Sequence, residues 1–241
     1  KKLLQAAAGN AGGDPLYVED VFSTYLYTGT GATLAIDNGI DLAGEGGLVW
    51  NKLRNFGSIT NTTYHNHWLT DTVRGAGQTA LNSNTSDAAG DSAVDNVISS
   101  FNSDGFTLTS IGSIASGSTG VSWTFRKAKK FFDVVTWTGN STAGRTVAHN
   151  LGSAPKFVIV KRTDTANNWV CWHSGIAITK YLQLNSTNPA YNDGGIFWDS
   201  TLPDASNITL GSDSGVNATG STYVAYLFAS DAGGFGDDGS E

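Results

Sequence analysis

The chain has 241 residues, only 15% of them charged, a formal net charge of −7 and a pI near 4.9. That balance argues against a nucleic-acid surface, which needs a stripe of Lys and Arg to displace counterions, and no apolar run approaches the ~20 residues of a membrane-spanning helix. Thirty glycines, four prolines and many Asn, Ser and Thr between short apolar runs predict a turn-rich β fold, and the single cysteine, Cys171, excludes an intramolecular disulfide.

In chain order, residues 1–20 read as a short N-terminal arm. Its Ala, Leu, Lys and Gln favour helix, and Gly9, Gly12 and Gly13 stop it. The absence of Met predicts a chain that starts after processing or is a fragment. Residues 21–130 and 131–230 each hold seven or eight short runs rich in Val, Ile, Thr, Phe, Tyr and Trp, separated by turn signals. The prediction is all-β: two tandem β-sandwich domains of jelly-roll or lectin-like type. In Val121–Phe125, alternation predicts Val121, Trp123 and Phe125 inward, with Ser122 and Thr124 outward. Phe157-Val158-Ile159-Val160 is continuously apolar, as a strand covered on both faces would be. A weak helix is expected around Ala88–Ser100. The basic cluster Arg126–Lys130 reads as a solvated strand end or linker, and Phe131-Phe132 as packing between the two domains to make a stiff rod. Residues 231–241 read as a Gly/Asp-rich tail or junction.

The two domains read as divergent copies. Tyr27-Thr28-Gly29 recurs as Trp137-Thr138-Gly139, and Leu48–Lys52 as Val158–Lys161, an apolar strand ending in Lys. Trp68-Leu69 is matched to Trp169-Val170, and Leu81-Asn82-Ser83-Asn84-Thr85 to Leu184-Asn185-Ser186-Thr187. Phe106–Leu108 matches Ile208–Leu210, and Gly117–Phe125 matches Gly220–Phe228. Order and spacing persist together, with loop lengths differing as loops tolerate.

Candidate chemistry is sparse. His65-Asn66-His67 has a spacing that can bind zinc, but no Cys or carboxylate cluster lies nearby in the sequence, so no metal site is assigned. Cys171-Trp172-His173 lacks an orienting acid or oxyanion donors and reads as a strand with a buried thiol. Glu45, Asp37, Asp41 and Asp20 form no glycosidase pair. Asp71 and Arg74 beside Gly75 read as a bidentate ion pair that staples a loop. Sugar recognition would need solvent-facing aromatic rings, for which Trp68, Trp172, Tyr191 and Trp198 are the candidates. Neither a cofactor nor a catalytic residue is expected.

The strings Asn38-Gly39-Ile40-Asp41-Leu42-Ala43-Gly44-Glu45-Gly46-Gly47-Leu48-Val49-Trp50, Asp71-Thr72-Val73-Arg74-Gly75, Phe101-Asn102-Ser103-Asp104-Gly105-Phe106 and Trp123-Thr124-Phe125-Arg126-Lys127-Ala128 resemble a family of virion structural proteins of marine tailed phages, of cyanophage and pelagiphage type. Gly144–Gly152 and Val160–Asp164 carry the pattern into the second copy. The resemblance implies a non-enzymatic tail-fibre, head-fibre or other appendage component of an extracellular particle. Leu3, Leu4, Ala6 and Ala7 of the arm would then dock it to other virion proteins. It also implies a homo-oligomer, threefold if the habit of fibres holds, and a possible host-surface glycan as ligand; nucleic acid and membrane are not expected partners. The alternatives are a carbohydrate-binding host-recognition module and a capsid decoration (cement) protein. Two departures stand out: Asn51 occupies an apolar strand, and Trp172-His173-Ser174-Gly175 replaces the Asp-Thr-Val-Arg-Gly string in the second copy.

Overall fold

The computed structural model describes residues 16–55, 62–78, 80–90, 97–109, 114–230 and 233–235. The predicted docking residues Leu3, Leu4, Ala6 and Ala7 lie outside them, as does nearly all of the 231–241 tail. Sixteen strands among the described residues form four antiparallel sheets, with two four-residue helices, α1 (Val18–Val21) and α2 (Ser214–Asn217). In the first half, β1 (Phe22–Thr28), β3 (Gly47–Asn55), β4 (His67–Asp71), β5 (Leu81–Asn82) and β8 (Thr119–Arg126) form a five-stranded sheet ordered β1-β8-β3-β4-β5. Strands β2 (Leu34–Asp37), β6 (Ile98–Asn102) and β7 (Gly105–Leu108) form a three-stranded one ordered β2-β7-β6.

The second half repeats this order. Strands β9 (Phe132–Thr138), β11 (Phe157–Arg162), β12 (Val170–His173), β13 (Lys180–Gln183), β14 (Tyr191–Asn192) and β16 (Thr222–Phe228) form a six-stranded sheet ordered β14-β13-β12-β11-β16-β9. Strands β10 (Arg145–Ala148) and β15 (Asn207–Leu210) pair beside it, as β2 and β7 do in the first half.

Three apolar cores alternate with these sheets. In the first, Ile36, Phe106 and Leu108 of the three-stranded sheet meet Tyr27, Val49, Leu53 and Trp68 of the five-stranded one. In the third, Val147, Ile208 and Leu210 meet Trp137, Val158, Val160, Trp172 and Tyr223. The central core joins the halves: Leu48, Leu69 and Leu81 pack with Phe132, Val134, Ile159, Trp169, Cys171 and Tyr226. Phe131 packs against this core too, and Phe132 is fully buried in it, so the junction is a tight turn into β9. Because strand side chains alternate in direction, each central strand feeds two cores at once. Ile159 of the continuously apolar β11 enters the central core, while Val158 and Val160 enter the third.

Three expectations need correction. Ser122 and Thr124 do not face water. Both are fully buried on the first-core side of β8, where Asn38 Nδ2 donates to Thr124 Oγ1 at 2.8 Å, because the three-stranded sheet packs over that face of the strand. The helix expected around Ala88–Ser100 is absent from its described part: Ala88 is irregular, Ala89–Gly90 is turn, Val97 is a bend and Ile98–Ser100 belongs to β6, while residues 91–96 lie outside the described residues. The repeat alignment also shifts. Asn51 opposes Trp68 across β3–β4, whereas Val160 opposes Val170 across β11–β12. Val170 therefore holds the place of Trp68, and Trp169, one residue earlier, points to the opposite face. Likewise Asn84, not Asn82, corresponds to Asn185. Asn84 Oδ1 accepts the His67 N–H and its Nδ2 donates to Asn66, as Asn185 does with the Trp169 N–H and Asn168.

Other devices recur in both halves. Gly29 and Gly139 donate their N–H to Ser118 and Ser221, and a Cβ on either would collide with the carbonyl oxygen of Ala115 or Ala218. Asn51 has a local cause: the buried Tyr27 hydroxyl donates to its Oδ1 at 2.7 Å. In the second half Trp137 replaces Tyr27 and turns its indole N–H to the Val216 carbonyl, so no amide is needed and Val160 fills the site of Asn51.

Two measurements check this architecture. Urea unfolding followed by near-UV dichroism and by fluorescence should give one coincident transition, since the halves share a core. His149 is buried, and burial lowers its pKa despite the nearby Asp133 and Asp204 carboxylates. The unfolded chain therefore takes up this proton first, so the contribution is complete above pH ~6.5 and is lost as pH falls through the folded-state value. His149→Gln should flatten the stability–pH curve on the acid side of neutrality.

Candidate functional site

The polar feature of the central layer is built around Asp71, the last residue of β4, which is fully buried. Its Oδ1 accepts the Arg74 N–H at 2.9 Å, and its Oδ2 accepts Arg74 Nε–H at 2.6 Å. Arg74 Nη2 also donates to the Leu69 carbonyl at 3.1 Å, closing the turn back onto its own strand. From the second half, the Tyr226 hydroxyl donates to Asp71 Oδ2 at 2.9 Å. Burial, with the Asp71 charge beside it, raises the Tyr226 pKa well above that of an ordinary tyrosine, so the phenol acts as a neutral donor. In the second half, His173 takes the place of Asp71, pairing with Phe157 as Asp71 pairs with Leu48, so this three-residue network is made once.

Around it the halves are tied by backbone groups. Trp169 Nε1–H donates to the Asn82 carbonyl at 2.9 Å. The buried Lys161 ammonium donates to Ser86 of the first half at 3.1 Å and to Asn167 at 2.8 Å. Its counterpart Lys52 donates to the corresponding His65 carbonyl at 2.6 Å.

Beyond the covered part of the five-stranded sheet lies an aromatic pocket of about 270 Å³, lined by Trp50, His67, Trp123 and Phe125. Cross-strand register places Trp123 opposite Trp50, with ring centroids 6.3 Å apart at 79°. Trp50 Nε1–H donates to His67 Nδ1 at 3.2 Å, and burial, helped by the Lys52 charge, lowers the His67 pKa. The exposed lining is wholly apolar.

The predicted sugar platform does not assemble. Trp68, Trp172 and Trp198 are 1%, 3% and 2% exposed, each locked in a core: Trp68 and Trp172 lie on strands covered on both faces, which have no wet side on which to display a large ring, and Trp198 sits in a turn folded into the third core. Tyr191 alone of the four is exposed; it stacks on Tyr181 at 5.2 Å. Among the described residues no three His, Cys, Asp or Glu side chains gather as metal ligands. His65 lies in a 3-10 turn and His67 in β4. Cys171 and His173 share a strand face, but the thiol is buried in the central core while His173 is exposed and accepts the Gly175 N–H. Sequence reasoning missed Tyr226, Trp50 and Trp123. The available signal was the exchange of Trp123 for Tyr226 between matched strands, a hydroxyl gained where a carboxylate waits.

The molecule is thus an all-β protein of layered antiparallel sheets. The chain belongs to the family described as Domain of unknown function (DUF7483), which matches residues 18–240 and so takes in every sheet. No curated protein and no solved structure matches it.

Burial pushes the Cys171 thiol up to about 12. At mildly alkaline pH it should resist a maleimide in the folded protein and react at once in denaturant, as mass spectrometry would record.

Proposed function

We propose that the chain is a non-enzymatic structural component of a phage particle, a tail-fibre, head-fibre or other appendage protein. On this reading its halves are two divergent copies of one lectin-like β-sandwich unit, and the arm, through Leu3, Leu4, Ala6 and Ala7, meets other virion proteins. The observation that carries the reading is the central layer, where the halves share a buried core and the Asp71–Arg74–Tyr226 network. Two units welded in this way form a stiff block rather than flexibly linked domains, which suits a part that must project from a particle and hold its shape. The single family match across both halves supports the same view, since it treats the pair as one unit. The resemblance of the Asp-Thr-Val-Arg-Gly and Asn-Ser-Asp-Gly-Phe strings to marine phage virion proteins supplies the setting.

The stiffness has a measurable basis. Tyr226→Phe, which leaves Asp71 one donor short, should cost about 1–3 kcal/mol of unfolding free energy. Asp71→Ala, which strands a buried guanidinium, should cost about 3–5 kcal/mol. Denaturant titration of the two variants checks both.

Peptide mass spectrometry and cryo-EM of purified particles from the source test the assignment. Chain density in a protruding appendage is the expected result. Absence from particles overturns it, and copy numbers matching the capsid lattice would transfer the chain to the decoration proteins.

A further inference from the structure

The outward face of the five-stranded sheet carries three rows of side chains, read directly from the strand register. Phe22, Phe125, Leu48 and Asp71 form one row, Thr24, Trp123, Trp50 and Leu69 the next, and Leu26, Val121, Lys52 and His67 the third. Central-core packing claims Leu48, Leu69, Phe125 and part of Trp50. The remaining surface continues that core outward as the pocket of Trp50, His67, Trp123 and Phe125, and beside it Leu26 stands 59% exposed on the edge strand β1.

The second half shows what this surface does when it is covered. By strand pairing, Trp50, His67, Trp123 and Phe125 correspond to Ile159, Trp169, Tyr226 and Phe228. The first three are buried in the central core and Phe228 packs against it, all facing the equivalent sheet of the first half. The exposed Leu26 has as its counterpart Thr136, also exposed but polar. The half with the open hole is therefore the half with the apolar knob.

We propose that this strip is a contact between two copies of the chain, with Leu26 of each copy seated in the Trp50–His67–Trp123–Phe125 pocket of the other. Knob and hole lie on one face of one sheet, so a twofold axis satisfies both together. The pocket suits an aliphatic side chain better than a sugar: its lining is apolar, and Trp50 Nε1–H and His67 Nδ1 are already bonded to each other. Edge strand β1 carries no charged side chain or proline to discourage such an approach.

Sedimentation equilibrium on the purified full chain tests the proposal, and detection in particles can fail or succeed separately. The wild type should be a dimer. Leu26→Arg should raise the dissociation constant at least about a hundredfold, because two knobs are lost per dimer, while its urea midpoint and dichroism match those of the wild-type monomer. Thr136→Arg, the matched change in the second half, should leave the dimer intact. A monomeric wild type at the highest soluble concentration, a trimer, an undiminished Leu26→Arg dimer, or equal loss in Thr136→Arg overturns the proposal. So does a monomer whose tryptophan emission is quenched by added saccharide, which would give the pocket to a glycan.

Discussion

A phenol from β16 donates to a carboxylate at the end of β4, 155 residues away in sequence, inside a layer where both partners are fully buried from solvent. Most other features of the molecule answer to that contact. Burying the Asp71 charge requires Arg74 beside it, and holding Arg74 requires a turn tight enough to return its guanidinium to the Leu69 carbonyl. Placing Tyr226 over Asp71 requires the six-stranded sheet to lie on the five-stranded one, which brings Trp169 to Asn82 and Lys161 to Ser86. The apolar cluster supplies the attraction, and the polar network fixes the register in which the sheets meet.

The central layer also accounts for unusual residues that look unrelated in the sequence. Each strand that borders it must be acceptable to two cores, so β8 carries Ser122 and Thr124 on one buried face and Trp123 and Phe125 on the other. The Thr124 hydroxyl is tolerated because Asn38 bonds it, and a glycine is needed at Gly120, where the Tyr27 ring crosses the strand. Tyr27 in turn calls for Asn51. The two halves solve the same packing problem with different chemistry, Tyr with Asn in one and Trp with a backbone carbonyl in the other.

The halves match in topology but not in exposure. Positions that the second half presents to the first are buried, and the matching positions of the first half remain partly open at Trp50 and Trp123. An arrangement that covers one copy of a face and leaves the other open is what a unit able to meet further copies would display. It links the inner interface of the chain to the contact proposed at Leu26.

Composition and turn chemistry sufficed to read an all-β chain and the closeness of Asp71 to Arg74, because these are local properties, and the repeated order of its strands was legible from blocks of sequence that recur in the same order in both halves. Phe131-Phe132 was readable as a packed junction because two adjacent large rings are costly to leave in water. The direction in which a given ring points was not readable. A one-residue change of register reverses a side chain, so Trp68 and Trp169 looked equivalent while facing different cores. Whether a strand has one wet face or none depends on a second sheet folded over it from far along the chain. That alone decided that Trp172 is core, that Ser122 and Thr124 are dry, and that Tyr226 rather than water completes the coordination of Asp71.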